Sequence, residues 1–178
     1  VARAIQALDN QGIVHRDIKP DHILIDAQGT ARVTGLGLAQ LREDILGTQD
    51  DVGRPGTPAY MSPEQATSSA ALDQRSDLYT LGLVLYEMLA GRLYVSGRLP
   101  LSQVASETPS SLVAIVEHLL QSDPRERYQS AQDLIEDLEQ VRDQGIAGQV
   151  RLVLGQRSTR TFLGALVIIA LLLWSVSA

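Results

Sequence analysis

The sequence predicts a mainly α-helical fold with one short β-hairpin, followed by a single membrane-spanning helix. Three observations carry this. Apolar residues recur at helical spacing in several separate runs, two short β-rich runs flank one turn-type tetrapeptide, and the last 18 residues, Thr161 to Ala178, hold no charge. With 178 residues, 44% of them hydrophobic, the chain is long enough to bury a core, and one folded domain plus a tail is the expectation.

Val1 to Leu8 read as the middle of an amphipathic helix with neither an initiator Met nor a secretory leader before it, so the chain is expected to be cut at its front. His22 to Asp26 and Ala31 to Thr34 are the β-rich runs, and Asp26-Ala27-Gln28-Gly29 is the turn between them. Arg42 to Pro58 is polar and carries Gly and Pro, as connecting segments do. A helix follows near Ser76 to Ala90, with Leu78, Leu81, Leu85, Met88 and Leu89 at helical spacing and Gly91 as its stop. Ser110 or Ser111 is expected to cap a helix bearing Leu112, Ile115, Val116, Leu119 and Leu120, ended by Asp123-Pro124. Ser130 is expected to cap another bearing Leu134, Leu138 and Val141, ended by Gly145.

Residues 1–142 are thus read as the folded part, 143–160 as a juxtamembrane linker and 161–178 as a transmembrane helix. At 1.5 Å per residue the tail covers roughly 27 Å, close to the hydrocarbon thickness of a bilayer. A buried core helix is the competing reading, but such helices seldom lack every charged residue over this length. Arg151, Arg157 and Arg160 precede the span and no basic residue follows it, which places the folded part in the cytoplasm of a single-pass cell-membrane protein.

The 15 basic residues are fourteen arginines and Lys19, set against 21 acids for a net charge of −6. Without a clustered basic face, counterion release has nothing to act through, and a nucleic-acid partner is excluded. The absence of cysteine excludes disulfides and cysteine-metal sites. Any phosphate chemistry in this chain that needs a lysine must use Lys19.

Lys19 stands in Val14-His15-Arg16-Asp17-Ile18-Lys19-Pro20, two residues after a carboxylate and directly before the hairpin. Phosphoryl transfer suits this pair: the carboxylate of Asp17 orients or accepts the proton of an attacking hydroxyl, and the ammonium of Lys19 offsets charge on the moving group. A solvated polar loop is the default reading for such a triplet taken alone. Its companions are Gly35-Leu36-Gly37-Leu38-Ala39, Gly56-Thr57-Pro58-Ala59-Tyr60-Met61-Ser62-Pro63-Glu64-Gln65, Ser76-Asp77-Leu78-Tyr79-Thr80-Leu81-Gly82 and Asp123-Pro124-Arg125-Glu126-Arg127-Tyr128.

In that order and register the segments resemble the C-lobe of eukaryotic-like Ser/Thr protein kinases, and the tail-side span resembles the bacterial receptor-type members that act in signalling. The resemblance implies a protein-kinase C-terminal lobe over residues 1–142, ATP and Mg²⁺ as cofactors, and a protein substrate or regulatory protein partner. It implies Asp17 as catalytic base, Lys19 as phosphate contact, His15 as part of the structural triplet, and Arg16 as receiver of an activation-loop phosphate. Thr57 falls in the substrate-facing loop, Thr48 is the candidate regulatory phosphosite, Asp77 holds the catalytic-loop backbone, and Glu64 pairs with Arg127. The N-lobe of the family, with its glycine-rich loop, strand lysine and helix glutamate, has no counterpart here, and an exposed apolar patch is expected where it would dock.

Two departures oppose the catalytic reading. The position five after Asp17, where the family has a magnesium-binding Asn, is His22, and the Asp of the magnesium motif is Gly35. Magnesium seeks hard oxygen ligands, so glycine offers nothing and imidazole is a poor substitute, and Mg²⁺ binding is not expected here. His15, His22 and His118 fit no metal-ligand spacing, so no other metal site is expected, and a dinucleotide fingerprint from Gly35 and Gly37 fails at Gln40. The leading reading is a membrane-anchored kinase homologue that is inactive or very weak, acting as a pseudokinase or interaction module. The others are an active Ser/Thr kinase tolerating the substitutions and a non-functional decayed fragment.

Overall fold

The computed structural model describes residues 1–41, 57–67, 72–94, 100–106 and 108–143. Thr48, the linker from residue 144 and the span 161–178 lie outside the described residues. Among the described residues, no helix is long and apolar enough to cross a membrane.

Six helices are described: α1 (Ala2–Asp9), α2 (Pro63–Thr67), α3 (Gln74–Ala90), α4 (Leu101–Val104), α5 (Ser110–Leu119) and α6 (Ala131–Asp143). The core is built around α3, of whose 17 residues 13 are buried, so it is covered on every side rather than along one stripe. Helix α1 packs against α6 and α3, and α5 packs against α3, α4 and α6. The expected start at Ser76 is corrected to Gln74, because the Asp73 side chain accepts the N–H of Arg75 and caps the helix two residues earlier. The stop is as expected: Gly91 takes φ of 68° and its N–H donates to Glu87 O.

The cap of α5 is also a correction. Pro109, not a serine, is the capping residue, so Ser110 and Ser111 sit inside the first turn, and the buried Ser111 hydroxyl has no hydrogen-bond partner among the described residues. The helix ends at Leu119, before the Asp123-Pro124 step, where Asp123 accepts the N–H of Arg125 and opens a separate 3₁₀ turn, Pro124–Glu126. The start of helix α6 follows expectation: Ser130 Oγ accepts the N–H of Asp133 at 3.1 Å, and Asp133 Oδ2 accepts that of Ser130 at 3.1 Å, while the expected stop at Gly145 lies outside the described residues.

Gly82 lies where α3 meets α5. A Cβ there would stand 2.8 Å from Leu119 Cβ and 3.1 Å from Leu120 Cδ2. Leu119 Cβ is fixed to its own backbone, so relief requires the helices to part. Alanine gains about 1 kcal/mol in helix propensity but meets an overpacking penalty of about 1–3 kcal/mol. Gly82→Ala is therefore expected to destabilise by about 1 kcal/mol in denaturant unfolding; a stabilised variant would contradict the close approach.

The hairpin forms as read. Strands β2 (Ile23–Ile25) and β3 (Ala31–Val33) pair antiparallel with Ile23 opposite Val33 and Ile25 opposite Ala31, and Asp26 Oδ1 accepts the N–H groups of Gln28 and Thr30 across the turn. The expectation of a single hairpin is corrected by a second two-stranded sheet, in which β1 (Ile13–Val14) pairs with β4 (Gln40–Leu41). Two-residue strands leave no periodicity to read. Residues 15–22 run between β1 and β2, so the two small sheets hold both ends of the Asp17 loop.

Candidate active site

The floor of the site is Asp77, fully buried near the start of α3. Its Oδ2 accepts the N–H of His15 at 2.8 Å and its Oδ1 that of Arg16 at 2.9 Å. Burial pushes the Asp77 carboxyl up to about 7, against the opposing pull of those two donors. Arg16 takes a φ of 70°, a conformation that costs a non-glycine residue about 1–2 kcal/mol. It is held there from both sides, by Asp77 on its N–H and by the Gln65 amide, which donates to its carbonyl at 2.9 Å.

His15 is fully buried beneath the loop. Thr34 O can only accept, so the contact of 2.9 Å to His15 Nε2 puts the hydrogen on Nε2; His15 Nδ1 then accepts the Asp17 N–H at 3.3 Å. An imidazole used in this way is neutral, in keeping with burial lowering its pKa despite the Thr34 carbonyl.

Above this floor the Asp17 carboxylate is itself buried and engaged on both oxygens. Oδ2 lies 2.9 Å from Lys19 Nζ and 3.3 Å from His22 Nδ1. Oδ1 accepts the backbone N–H and the hydroxyl of Thr57, each at 3.2 Å, and Lys19 Nζ donates to that hydroxyl at 2.8 Å. The carboxylate and the ammonium therefore hold an alcohol oxygen between them. That is the arrangement for orienting a hydroxyl and drawing on its proton.

Gly35 lies against His22 at the end of β3, with φ of 83°. Magnesium does not fit these residues. Gly35 has no side chain, His22 offers nitrogen turned on Asp17, and the Asp17 oxygens are occupied by Lys19 and Thr57. Among the described residues, no group of three His, Asp or Glu side chains is placed to hold a metal ion.

Arg16 points its guanidinium at the Gln40 side-chain carbonyl on β4, and its Nε is buried without a hydrogen-bond partner among the described residues. Thr48 lies outside them. Farther off, Arg127 donates to Glu64 through both terminal nitrogens, at 2.7 and 2.8 Å, and Ser76 Oγ donates to the same carboxylate at 2.7 Å. Burial raises the Glu64 carboxyl, but the Arg127 and Ser76 hydrogen bonds outweigh it and leave the group below its ordinary value. Sequence reasoning passed over Gln65, although Ser62-Pro63-Glu64-Gln65 carries the signal of a reciprocal cap: Gln65 Oε1 accepts the Ser62 N–H and Ser62 Oγ accepts the Gln65 N–H. Gln40 left no signal of its role.

The protein kinase domain family matches residues 1–144. A probable serine/threonine-protein kinase of Clostridium perfringens is 34% identical over 158 residues, 80% of this chain and 22% of the relative. Serine/threonine-protein kinase pkn2 of Myxococcus xanthus is 39% identical over 159 residues, 78% of this chain and 19% of the relative. Serine/threonine-protein kinase PknB of Mycobacterium leprae is 37% identical over 155 residues, 78% of this chain and 25% of the relative. The chain thus spans a quarter or less of the length of these relatives. A loop in which one carboxylate and one lysine grip a hydroxyl, found within a match of this length, identifies the chain as a member of the protein kinase domain family, among the bacterial eukaryotic-like serine/threonine kinases.

Proposed function

We propose that this chain is the C-lobe, juxtamembrane linker and transmembrane helix of a membrane-anchored Ser/Thr protein kinase homologue whose phosphoryl transfer is severely impaired. It acts chiefly by engaging a regulatory or client protein at the cytoplasmic face of the cell membrane. The observation that carries this reading is the pair His22 and Gly35, which leaves the loop without the oxygen ligands that a magnesium-dependent reaction needs. Exposed Leu24, Leu36 and Leu41, on β2, on the turn after β3 and on β4, support a surface made for docking an N-lobe.

The chain's own residues still carry part of the chemistry. Asp17 holds and polarises an alcohol, Lys19 places a positive charge beside it, and Thr57 shows where that alcohol sits. That geometry favours a second reading, an active kinase that tolerates the substitutions. Against it stands the missing electrostatic stabilisation, which at several kcal/mol corresponds to a rate deficit of roughly a thousandfold. Membranes carrying the full-length protein are expected to incorporate phosphate from ATP into protein at about that deficit relative to an ordinary member of the family. Turnover at an ordinary rate, abolished by Asp17→Ala, would establish the second reading instead.

The topology rests on the charge-free tail and on Arg151, Arg157 and Arg160 before it. Protease added to intact spheroplasts should leave residues before Arg160 uncut, and the chain should stay with the membrane fraction. Cleavage from outside, or recovery in the soluble fraction, would reject it.

A further inference from the structure

Position 35 meets two independent demands for glycine. Its φ is 83°, in the left-handed region, and a Cβ built there would lie 2.5 Å from His22 Cγ, 2.5 Å from Nδ1 and 2.6 Å from Cε1, overlapping the face of the imidazole ring. The ring is not free to move aside. His22 Nδ1 lies 2.7 Å from the Asp17 carbonyl oxygen and 3.3 Å from its Oδ2. The His22 backbone is pinned as well, its N–H donating to Lys19 O and its carbonyl accepting the N–H of Thr34, both at 2.9 Å. Because a carbonyl oxygen only accepts, Nδ1 must carry the hydrogen. His22 therefore carries a hydrogen on Nδ1, the nitrogen that in His15 is the acceptor.

We propose that His22 is a positioning residue for Asp17: its Nδ1–H grips the Asp17 carbonyl beside the carboxylate, while its ring stands in the volume that a side chain at position 35 would fill. Residues 22 and 35 then work as one lock that holds the acid in place without a metal ion. An imidazole at 22 and any side chain at 35 exclude one another. The lock concerns how Asp17 is held and stands whatever the rate of phosphate transfer, so it goes beyond the function proposed above.

The test is a double-mutant cycle on the full-length protein with His22→Ala and Gly35→Ala, read by denaturant unfolding, together with ¹⁵N and ¹³C NMR. Gly35→Ala should lower the folded-to-unfolded ratio by about a hundredfold when His22 is present, from backbone strain and the clash together. On the His22→Ala background the loss should shrink to about tenfold, the part due to φ alone. If Gly35→Ala fails to fold by itself, folding of the double variant is the same result in stronger form. The imidazole ¹⁵N pattern should show hydrogen on His22 Nδ1. The Asp17 carbonyl ¹³C shift should move in His22→Ala and return in His22→Asn, whose side-chain amide places an N–H where Nδ1–H lies. Equal losses in the two backgrounds, hydrogen on Nε2 alone, or an Asp17 carbonyl shift indifferent to His22→Ala would each overturn the proposal.

Discussion

Arg127→Ala is expected to lower the unfolding free energy by about 3–5 kcal/mol, a large share of the roughly 5–15 kcal/mol that a domain commands. Arg127 has a fully buried side chain, and its removal strands the Glu64 carboxylate with Ser76 as its remaining side-chain donor. It also withdraws donors from the carbonyls of Arg75, Gln121 and Ser122 and a guanidinium from the Tyr79 ring, 4.6 Å away. Arg127→Lys should keep most of the loss, because one ammonium cannot make the two parallel bonds to Glu64 or reach the carbonyls on either side. The pH dependence has a definite sign. Glu64 titrates below its ordinary value in the folded chain, so its contribution is full above the unfolded carboxyl value of about 4.3 and fades as pH falls through the folded one. Denaturant titrations across that range check both statements, and Glu64→Gln should flatten the acid slope. A change under about 0.5 kcal/mol for Arg127→Ala would show that the pair does not tie α2 to the segment before α6.

The second large effect concerns restoring the lost ligands. Gly35→Asp alone is expected to give a destabilised and inactive protein, because the new Cβ overlaps the face of the His22 ring. His22→Asn alone removes the far side of the ring, leaves a smaller side chain that can turn away from a residue at 35, and returns an amide, yet leaves no acid at 35. The two together should raise phosphate incorporation by about a hundredfold or more over either single variant, given a barrier change of several kcal/mol. Aspartate is among the residues that tolerate a left-handed backbone best, so the φ at 35 does not forbid it once the ring is gone. Such non-additivity is expected of residues in contact that serve one cluster. Equal activity in the single and double variants would contradict it.

Much of the fold was legible because its signals are local. Leu78 to Leu89 at helical spacing, Gly91 as a stop, Ser130 as a cap and the Asp26 turn each act within a few residues, and each appears where the sequence puts it. The β1–β4 sheet was not legible, since its strands are two residues long and their pairing bridges the loop between them. Ser111 misled because a serine before an apolar run reads as a cap, whereas Pro109 takes the capping conformation first. At the site, Asp17 and Lys19 were legible as a pair two residues apart and Thr57 and Asp77 only through the family resemblance, and the four converge as a group. The interlock of His22 with Gly35 was not visible, because sequence gives the loss of two ligands as two separate events. The contact of one ring with one missing Cβ exists only in three dimensions.

The measurement that bears most directly on the central claim is a magnesium titration of phosphate incorporation by the full-length protein, run beside the His22→Asn, Gly35→Asp double variant and that variant carrying Asp17→Ala. The wild-type rate should stay near background and flat in magnesium, the double variant should rise and saturate, and Asp17→Ala should abolish the gain. A wild-type rate that saturates with magnesium at an ordinary turnover would contradict the account, because His22 and Gly35 would then serve a metal cluster that their chemistry does not provide.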